Sequence, residues 1–571
     1  MIKNKVMTVP ANLQWAKKYP ASIDWSMELP ARPLYEILDE AVRDYPQNIF
    51  IDFLGKTYSY HTTADLVARA ARGLQNLGVR KGDRIGLLLP NSPVYVFLYF
   101  AALKIGATVV NFNPLYATQE IEKQVKDSGC RVMATLDMPD IYGKLDLLLG
   151  RSCLQQIIVC RMQDMLPPLL SMLYPVLKRR DIIEVPDDTH NIDFKRLIAN
   201  DGAFTAAVID PAKDIAVLQY TGGTTGVPKG AMLSHANLSI NAVQSRNLFP
   251  GCVRGKETML GVLPFFHVFA MTAVLNVTVL LASKIVMLPR FELEQVIKTI
   301  HKKRPTLFPA VPTIYTAINH YKKLGSYNLR CIKYCFSGGA PLPIEVKHEF
   351  ERLSGCVLVE GYGLSETSPV VSCNPVDGEN KAGSIGLPAP GTIIEIVSLD
   401  DKTTILPQGE TGEVCIRGPQ VMMGYWHQVE ETRMVFNETP EGIRLHTGDV
   451  GYMDADGYTF IVDRIKDMIA AGGFKIYPRH VEEAIYQHSA VEECIVAGVP
   501  DEYRGQTVKA FIKLREGQRL TPDELKIFLK DKLSPMAMPK IIEFRDTLPK
   551  TLIGKLSRKL VLEEDGKQGT R

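Results

Sequence analysis

A chain of 571 residues is too long to bury itself around one ordinary core, so two or more domains are expected. With 46% hydrophobic and 23% charged residues the make-up is that of a soluble globular protein. A formal charge of +3, with no basic tract interleaved with aromatics, argues against a nucleic-acid partner.

The ten cysteines are scattered without a Cys-x-x-Cys pair, and no histidine stands at metal-site spacing beside Cys331 and Cys335. Most thiols are therefore expected in the core of a reduced, cytoplasmic protein. No apolar run follows Met1–Lys5, so no signal peptide is read.

Residues 1–30, with Trp15, Tyr19, Pro20 and Trp25, read as an arm packed on the surface. From Leu34 the pattern alternates, with helices over 34–43, 63–77 and 93–104 and strands over 49–53, 84–89 and 108–110. That alternation predicts α/β layers with parallel strands. Residues 164–180 break it: Leu169, Leu170, Met172, Leu173, Val176 and Leu177 run into Lys178-Arg179-Arg180. Apolar residues ending in a basic cluster suit the headgroup layer of an anionic membrane, so peripheral association with its inner face is one reading. A loop–helix insertion packed on the domain's own surface is the other. Pro167, Pro168 and Pro175 argue against one long helix there.

The uncharged run Val268–Ser283 falls short of the ~20 apolar residues of a spanning helix and is expected to be a buried one. A helix over 292–303 and strands over 307–312, 334–337 and 357–360 follow. The last two strands end in Gly338-Gly339-Ala340 and Gly361-Tyr362-Gly363. After Asp400 the chain turns to turn-rich β structure, and a fresh unit is expected at Arg464. The expected domains are 1–463 and 464–571, the second a small α+β domain with helices over 479–488 and 522–533.

The densest chemistry lies at Tyr220-Thr221-Gly222-Gly223-Thr224-Thr225-Gly226-Val227-Pro228-Lys229-Gly230. Gly222, Gly223 and Gly226 let successive backbone N–H groups turn toward one anion. Thr221, Thr224 and Thr225 add hydroxyl donors, and Lys229 adds a positive charge. It is not a Walker loop, because Lys229 is followed by Gly230 rather than Ser or Thr. Ala231-Met232-Leu233 read as a strand, so the cradle is expected to join two strands and bind through loop amides.

This segment resembles the phosphate-binding signature of the acyl-adenylate-forming enzymes, which include acyl-CoA synthetases, luciferases and peptide-synthetase adenylation domains. Further segments match in order from about residue 30 to about residue 560, most like bacterial long-chain fatty acid–CoA ligases. The resemblance implies an α/β N-terminal domain of layered sheets with a β-rich subdomain, and a mobile C-terminal domain. It implies ATP, Mg²⁺ and coenzyme A, a fatty acid substrate, and catalysis by Lys555, Glu366, Thr224 and His267. A homodimer is among the expected states.

Residue by residue, Glu366 in Gly361–Thr367 would hold the metal, as a hard oxygen ligand can. Thr367 would donate to the α-phosphate, and Tyr362 would lie against adenine with Gly338, Gly339 and Ala340. Ser365 stands where threonine is common. Asp449 and Arg464 would bind the ribose. His267, in Leu263–Phe269, would sit beside the acyl carboxylate, with Phe265, Phe266, Phe269 and Met271 as an apolar wall. Lys466 would be the hinge, and Lys555 rather than Lys550 would bridge carboxylate and α-phosphate. Gly472-Gly473 would admit the pantetheine arm. Rival readings are a medium-chain, dicarboxylic or aryl acid–CoA ligase, and a nucleotide-binding scaffold without catalysis.

Overall fold

A computed structural model of the chain describes residues 14–186, 188–221, 228–471, 474–501, 503–550 and 556–568. Two compact units emerge: residues up to 393 with 417–443, and 394–416 with 444 onward. The expected boundary after Asp463 falls inside the second unit, at the end of strand Thr459–Arg464.

The first unit holds two large sheets. In the seven-stranded one the order is Asn191–Asp193, Gln156–Cys160, Val132–Leu136, Arg84–Leu88, Thr108–Asn111, Ile215–Thr221, Lys229–Ser234. All neighbours are parallel except the last pair. The nine-stranded sheet has a parallel centre, from Ile49–Phe53 through Lys284–Met287, Thr258–Gly261, Leu307–Ala310 and Tyr334–Ser337 to Val357–Gly363. Its antiparallel flanks are Lys56–Ser59 at one end and Val370–Cys373 with Leu387–Pro388 at the other.

Helix Pro93–Lys104 reads apolar all round, and every residue from Pro93 to Leu103 is buried, as such a helix must be. The same holds from Ala270 to Val279, where a seven-residue π-helix, Ala270–Asn276, runs into helix Val277–Leu280. Among the described residues no helix is long and apolar enough to cross a membrane. Trp15 and Trp25 of the N-terminal arm are buried, Trp25 donating to the Thr392 carbonyl at 3.2 Å. Eight of the ten cysteines are buried and none is in a disulfide. One helix, Pro168–Leu177, forms despite three prolines. Pro168 starts it, where no N–H is needed, and Pro175 lies in its last turn.

In the second unit a long hairpin, Val491–Asp501 with Gly505–Leu514, pairs on its outer side with Ile469–Ala471 and, in parallel, with Ile541–Phe544. Helices Pro478–Tyr486 and Pro522–Leu529 cover it, burying Val481, Ile485, Leu525 and Leu529. A further sheet contains Ile393–Val397, Gly412–Arg417, Gly442–Met453 and Thr459–Arg464.

Candidate active site

The cradle sequence joins two strands, as its composition predicts: Tyr220 lies opposite Gly230 and Thr221 opposite Lys229 at the open end of an antiparallel pair. Gly222, Gly223, Thr224, Thr225 and Gly226 lie outside the described residues, as do Gly472, Gly473 and Lys555. Lys229 is mostly buried, forms an ion pair with Glu431 and lies 5.5 Å from the centre of the Tyr425 ring.

The free edge of strand Lys229–Ser234 is covered by residues 422–426. Met232 donates to the Gly424 carbonyl at 2.9 Å, Met423 to Met232 at 2.9 Å, and Trp426 to Gly230 at 2.8 Å. This pairing sets Tyr425 beside Lys229, and its hydroxyl donates to Glu366 Oε1 at 2.7 Å. Burial, then the negative charge of Glu366, push the Tyr425 phenol well above its ordinary value, so it stays a proton donor at neutral pH.

Glu366 sits in a 3₁₀ turn, Ser365–Thr367, directly after strand Val357–Gly363. A side chain at Gly363 would put its Cβ 2.0 Å from the Pro369 carbonyl oxygen, so glycine permits the chain to double back. Met422 donates to the Glu366 carbonyl at 2.8 Å, holding the turn against the covering segment. Glu366 Oε2 has no partner among the described residues, which leaves a half-buried carboxylate oxygen able to bind a hard cation such as Mg²⁺.

Thr367 departs from its expected role. It is fully buried, and its hydroxyl donates to the Pro369 carbonyl at 2.6 Å while accepting from the Leu364 N–H at 3.0 Å. It closes the turn rather than facing a phosphate. Ser365, half-buried on the other side of Glu366, is the hydroxyl of this turn that reaches the surface.

The His267 segment is held from below by buried amides. Asn91 accepts from the Phe265 N–H at 2.8 Å and donates to the Leu263 carbonyl at 2.8 Å. Gln219, on the strand leading into the cradle, donates to the Phe266 carbonyl at 3.0 Å. His267 is half-buried and its Nδ1 accepts from the Phe269 N–H at 3.3 Å, so Nδ1 carries no proton there.

Phe265 and Met271 are fully buried, whereas Phe269 packs edge-on to Phe336, with ring centres 5.3 Å apart. A Cβ on Gly338 would lie 3.2 Å from the Phe269 ring. Gly338 is buried, Gly339 exposed and Ala340 half-buried, so this strand end passes from the core to the surface within three residues. Behind the Phe336 ring lies an apolar cavity lined by Phe249, Met259, Ala273, Val277 and Leu307. Tyr362 is half-buried on strand Val357–Gly363, opposite Ser372.

The remaining expected residues belong to the second unit. Asp449 and Arg464 face each other across antiparallel strands and form an ion pair at 2.9 Å. Asp449 is almost fully buried, and its N–H is bound by the Thr447 hydroxyl at 3.0 Å. Glu413 shapes this turn, accepting from the Gly448 N–H at 2.9 Å and bonding His446 Nδ1 at 2.8 Å. Glu413, Cys415 and His446 bring three ligand atoms within 4.8 Å of one another, but both Glu413 oxygens are already spent on the turn.

Lys466 is an exposed residue of the turn Ile465–Asp467, and partial desolvation of its ammonium followed by the like charge of Arg464 pushes it below the ordinary value. Beside it Arg558, absent from the sequence reading, binds both oxygens of Glu482 at 2.9 Å and reaches Asp467 at 3.2 Å and Asp463 at 3.4 Å. Lys550 is paired with Glu493.

A Gly/Thr/Lys loop between two strands, with its lysine and a distant glutamate joined through one tyrosine, sets this site apart from loops that precede a helix. The chain belongs to the AMP-binding enzyme family, whose profile matches residues 38–426, while that of the AMP-binding enzyme C-terminal domain matches residues 480–555.

It is 43% identical over 554 residues to a long-chain-fatty-acid–CoA ligase of Bacillus subtilis, covering 96% of this chain and 98% of the relative. A probable 4-coumarate–CoA ligase of Dictyostelium discoideum is 31% identical, covering 97% of this chain and 98% of the relative. Among solved structures, ATP-bound MatB from Rhodopseudomonas palustris superposes with a TM-score of 0.82 at 26% identity, over 94% of this chain and 99% of that one. The anthranilate–CoA ligase AuaEII with anthranoyl-AMP gives 0.82 at 26% identity, over 95% and 99%.

Proposed function

We propose that this chain is an ATP-dependent acid–CoA ligase that joins a long-chain fatty acid to coenzyme A through an acyl-adenylate. In the first half-reaction a carboxylate oxygen attacks the α-phosphorus of ATP and pyrophosphate leaves. In the second the sulfur of coenzyme A attacks the acyl carbon, AMP leaves, and the thiol proton is released. The obstacle in the first step is charge, since two anions must meet, so cations and fixed donors must surround the reacting atoms.

The observation that carries this reading is Tyr425, which lies against Lys229 and donates to Glu366, so that cation and carboxylate occupy one locus at the mouth of the cradle. Lys229 would neutralise phosphate charge, with Ser365 and the cradle hydroxyls, Thr224 among them, donating to phosphate oxygens. Glu366 would hold Mg²⁺ through its unpaired oxygen, and the bound ion would supply charge stabilisation to the triphosphate. The Tyr425 hydroxyl fixes the orientation of that carboxylate.

Asp449, paired with Arg464, would accept from the ribose hydroxyls. Tyr362, Gly338, Gly339 and Ala340 would border the adenine. His267 would stand at the acyl carboxylate, with Phe265, Phe269 and Met271 as the apolar wall beside it. A wall of that kind favours an aliphatic acid; the aryl acid named for some relatives is the competing substrate class.

Coenzyme A consumption measured over acids from acetate to oleate, with a dicarboxylate and benzoate included, tests this. Highest kcat/KM is expected with long saturated and unsaturated acids, each turnover releasing one pyrophosphate. A preference for benzoate or a dicarboxylate would overturn the substrate, and pyrophosphate release with no acid consumed would overturn the reaction.

A further inference from the structure

Helix Pro168–Leu177 is built inside out. Its apolar side chains face solvent: Leu169 is 67% exposed, Met172 71%, Val176 78% and Leu177 70%, with Leu170 and Leu173 also exposed. Ser171 and Tyr174 are the half-buried ones, and no residue of the helix is buried. A helix on a globular surface turns its apolar stripe toward the core, so this arrangement has no folding rationale within the unit. It is nevertheless rooted, because Met165 and Leu166 immediately before it are buried.

Directly after the helix come Lys178, Arg179 and Arg180, all exposed. Lys178 pairs with Asp181 at 3.0 Å, while Arg179 and Arg180 have no ion-pair partner among the described residues. Ten helical residues span roughly 15 Å, about half the hydrocarbon thickness of a bilayer, so the helix can lie in a membrane surface but not cross it.

We propose that Pro168–Leu177 with Lys178–Arg180 docks the protein on the surface of an anionic lipid bilayer. The six apolar side chains would enter the boundary between headgroups and acyl chains, and the guanidinium groups would meet lipid phosphates. A second copy of this chain could also cover the apolar face, but the same segment of that copy would bring three more cations and one carboxylate, Asp181. That carboxylate is already paired with Lys178, so no unspent anion would answer Arg179 and Arg180. Lipid phosphate supplies that anion, which is why the bilayer is the better partner.

The test is co-sedimentation of the full chain with vesicles of phosphatidylcholine, alone or mixed with phosphatidylglycerol. Binding is expected to the mixed vesicles and to weaken with added salt. Replacing Leu169, Met172, Leu173 and Val176 together by Ser should abolish it with no loss of thermal midpoint. Arg179→Gln with Arg180→Gln should weaken it by on the order of fivefold per charge. Turnover of dissolved octanoate should be unchanged in both variants.

Equal binding by wild type and the serine variant would overturn the proposal, as would equal binding to both vesicle types. So would a wild-type chain that ignores vesicles but sediments as a dimer which the serine variant dissociates, since that result identifies the partner as a second copy.

Discussion

Tyr425 carries no motif, yet three features of the site converge on it: the Lys229 ammonium, the Glu366 carboxylate and the edge of the cradle strand. Glu366 is the residue whose charge matters most if it binds the metal. Glu366→Gln keeps the shape and the Tyr425 bond but removes that charge, and turnover should fall by ~10²-fold or more. Pyrophosphate release titrated with Mg²⁺ checks this, and unchanged turnover at limiting metal would rule the role out.

A second residue governs stability rather than chemistry. His235 is buried, its Nδ1 accepting from the Leu34 N–H at 3.1 Å, and burial depresses its pKa from 6.5 to about 4. The unfolded chain therefore takes up a proton that the folded chain refuses. The neutral imidazole contributes in full above the unfolded value, and the contribution is lost as pH falls from about 6.5 to about 4, on the order of 3 kcal/mol in all. His235→Gln should flatten the fall in thermal midpoint across that window; parallel curves for the two proteins would refute it.

At this scale sequence and structure part company at Thr367 and Ser365. Two hydroxyls flank Glu366, and which one turns inward is decided by the 3₁₀ turn, not by composition. Tyr425 and Glu431 escaped notice because they lie about 200 residues from Lys229 and reach it only through strand pairing.

Among the elements, the antiparallel pair around the cradle was legible because Gly, Thr and Pro punctuate two apolar runs. Strand Ile49–Phe53 and helix Pro93–Lys104 stand within the bounds their patterns suggest. The alternation between Thr118 and Cys160, two helices and two strands, was not read. Its strand Val132–Leu136 is buried on both faces and shows no period-two signal. The reach of the second unit back to residue 394 was hidden for a different reason, since a domain formed from two separated segments leaves no composition break at one position.

Helix Pro478–Tyr486 and the turn Ile465–Asp467 are tied by Arg558, which faces Glu482, Asp463 and Asp467 together. Arg558→Met would leave buried Asp463 and mostly buried Glu482 without their counter-charge, at a cost of about 3 kcal/mol. Arg558→Met with Glu482→Met should recover part of it. Denaturant midpoints of the two variants decide the matter, and a single variant as stable as the double would show that the cluster is not coupled.

For the whole molecule, the proposed reaction divides between two steps with different electrostatic needs. In that reaction Lys555 would be required while two anions approach each other and would be dispensable once the anhydride exists. Lys555→Ala should slow adenylate formation by ~10²-fold or more while leaving thioester formation from supplied acyl-AMP near the normal rate. Rapid-quench measurement of each half-reaction separates them; equal losses in both would assign Lys555 a single, unchanging role.

The covering of strand Lys229–Ser234 by residues 422–426 also bears on how the protein is made. The strand is an edge of its sheet, and its cover leaves the ribosome roughly 190 residues later. At a synthesis rate of about 5–20 residues per second, the edge stays open for about 10–40 s. An apolar edge strand left unpaired is a template for other chains. Newly made protein should therefore be most prone to aggregate during this interval. A fragment stopping near residue 415 should be captured by chaperones or precipitate, whereas one extended past Trp426 should stay dispersed in pulse-labelled translation reactions.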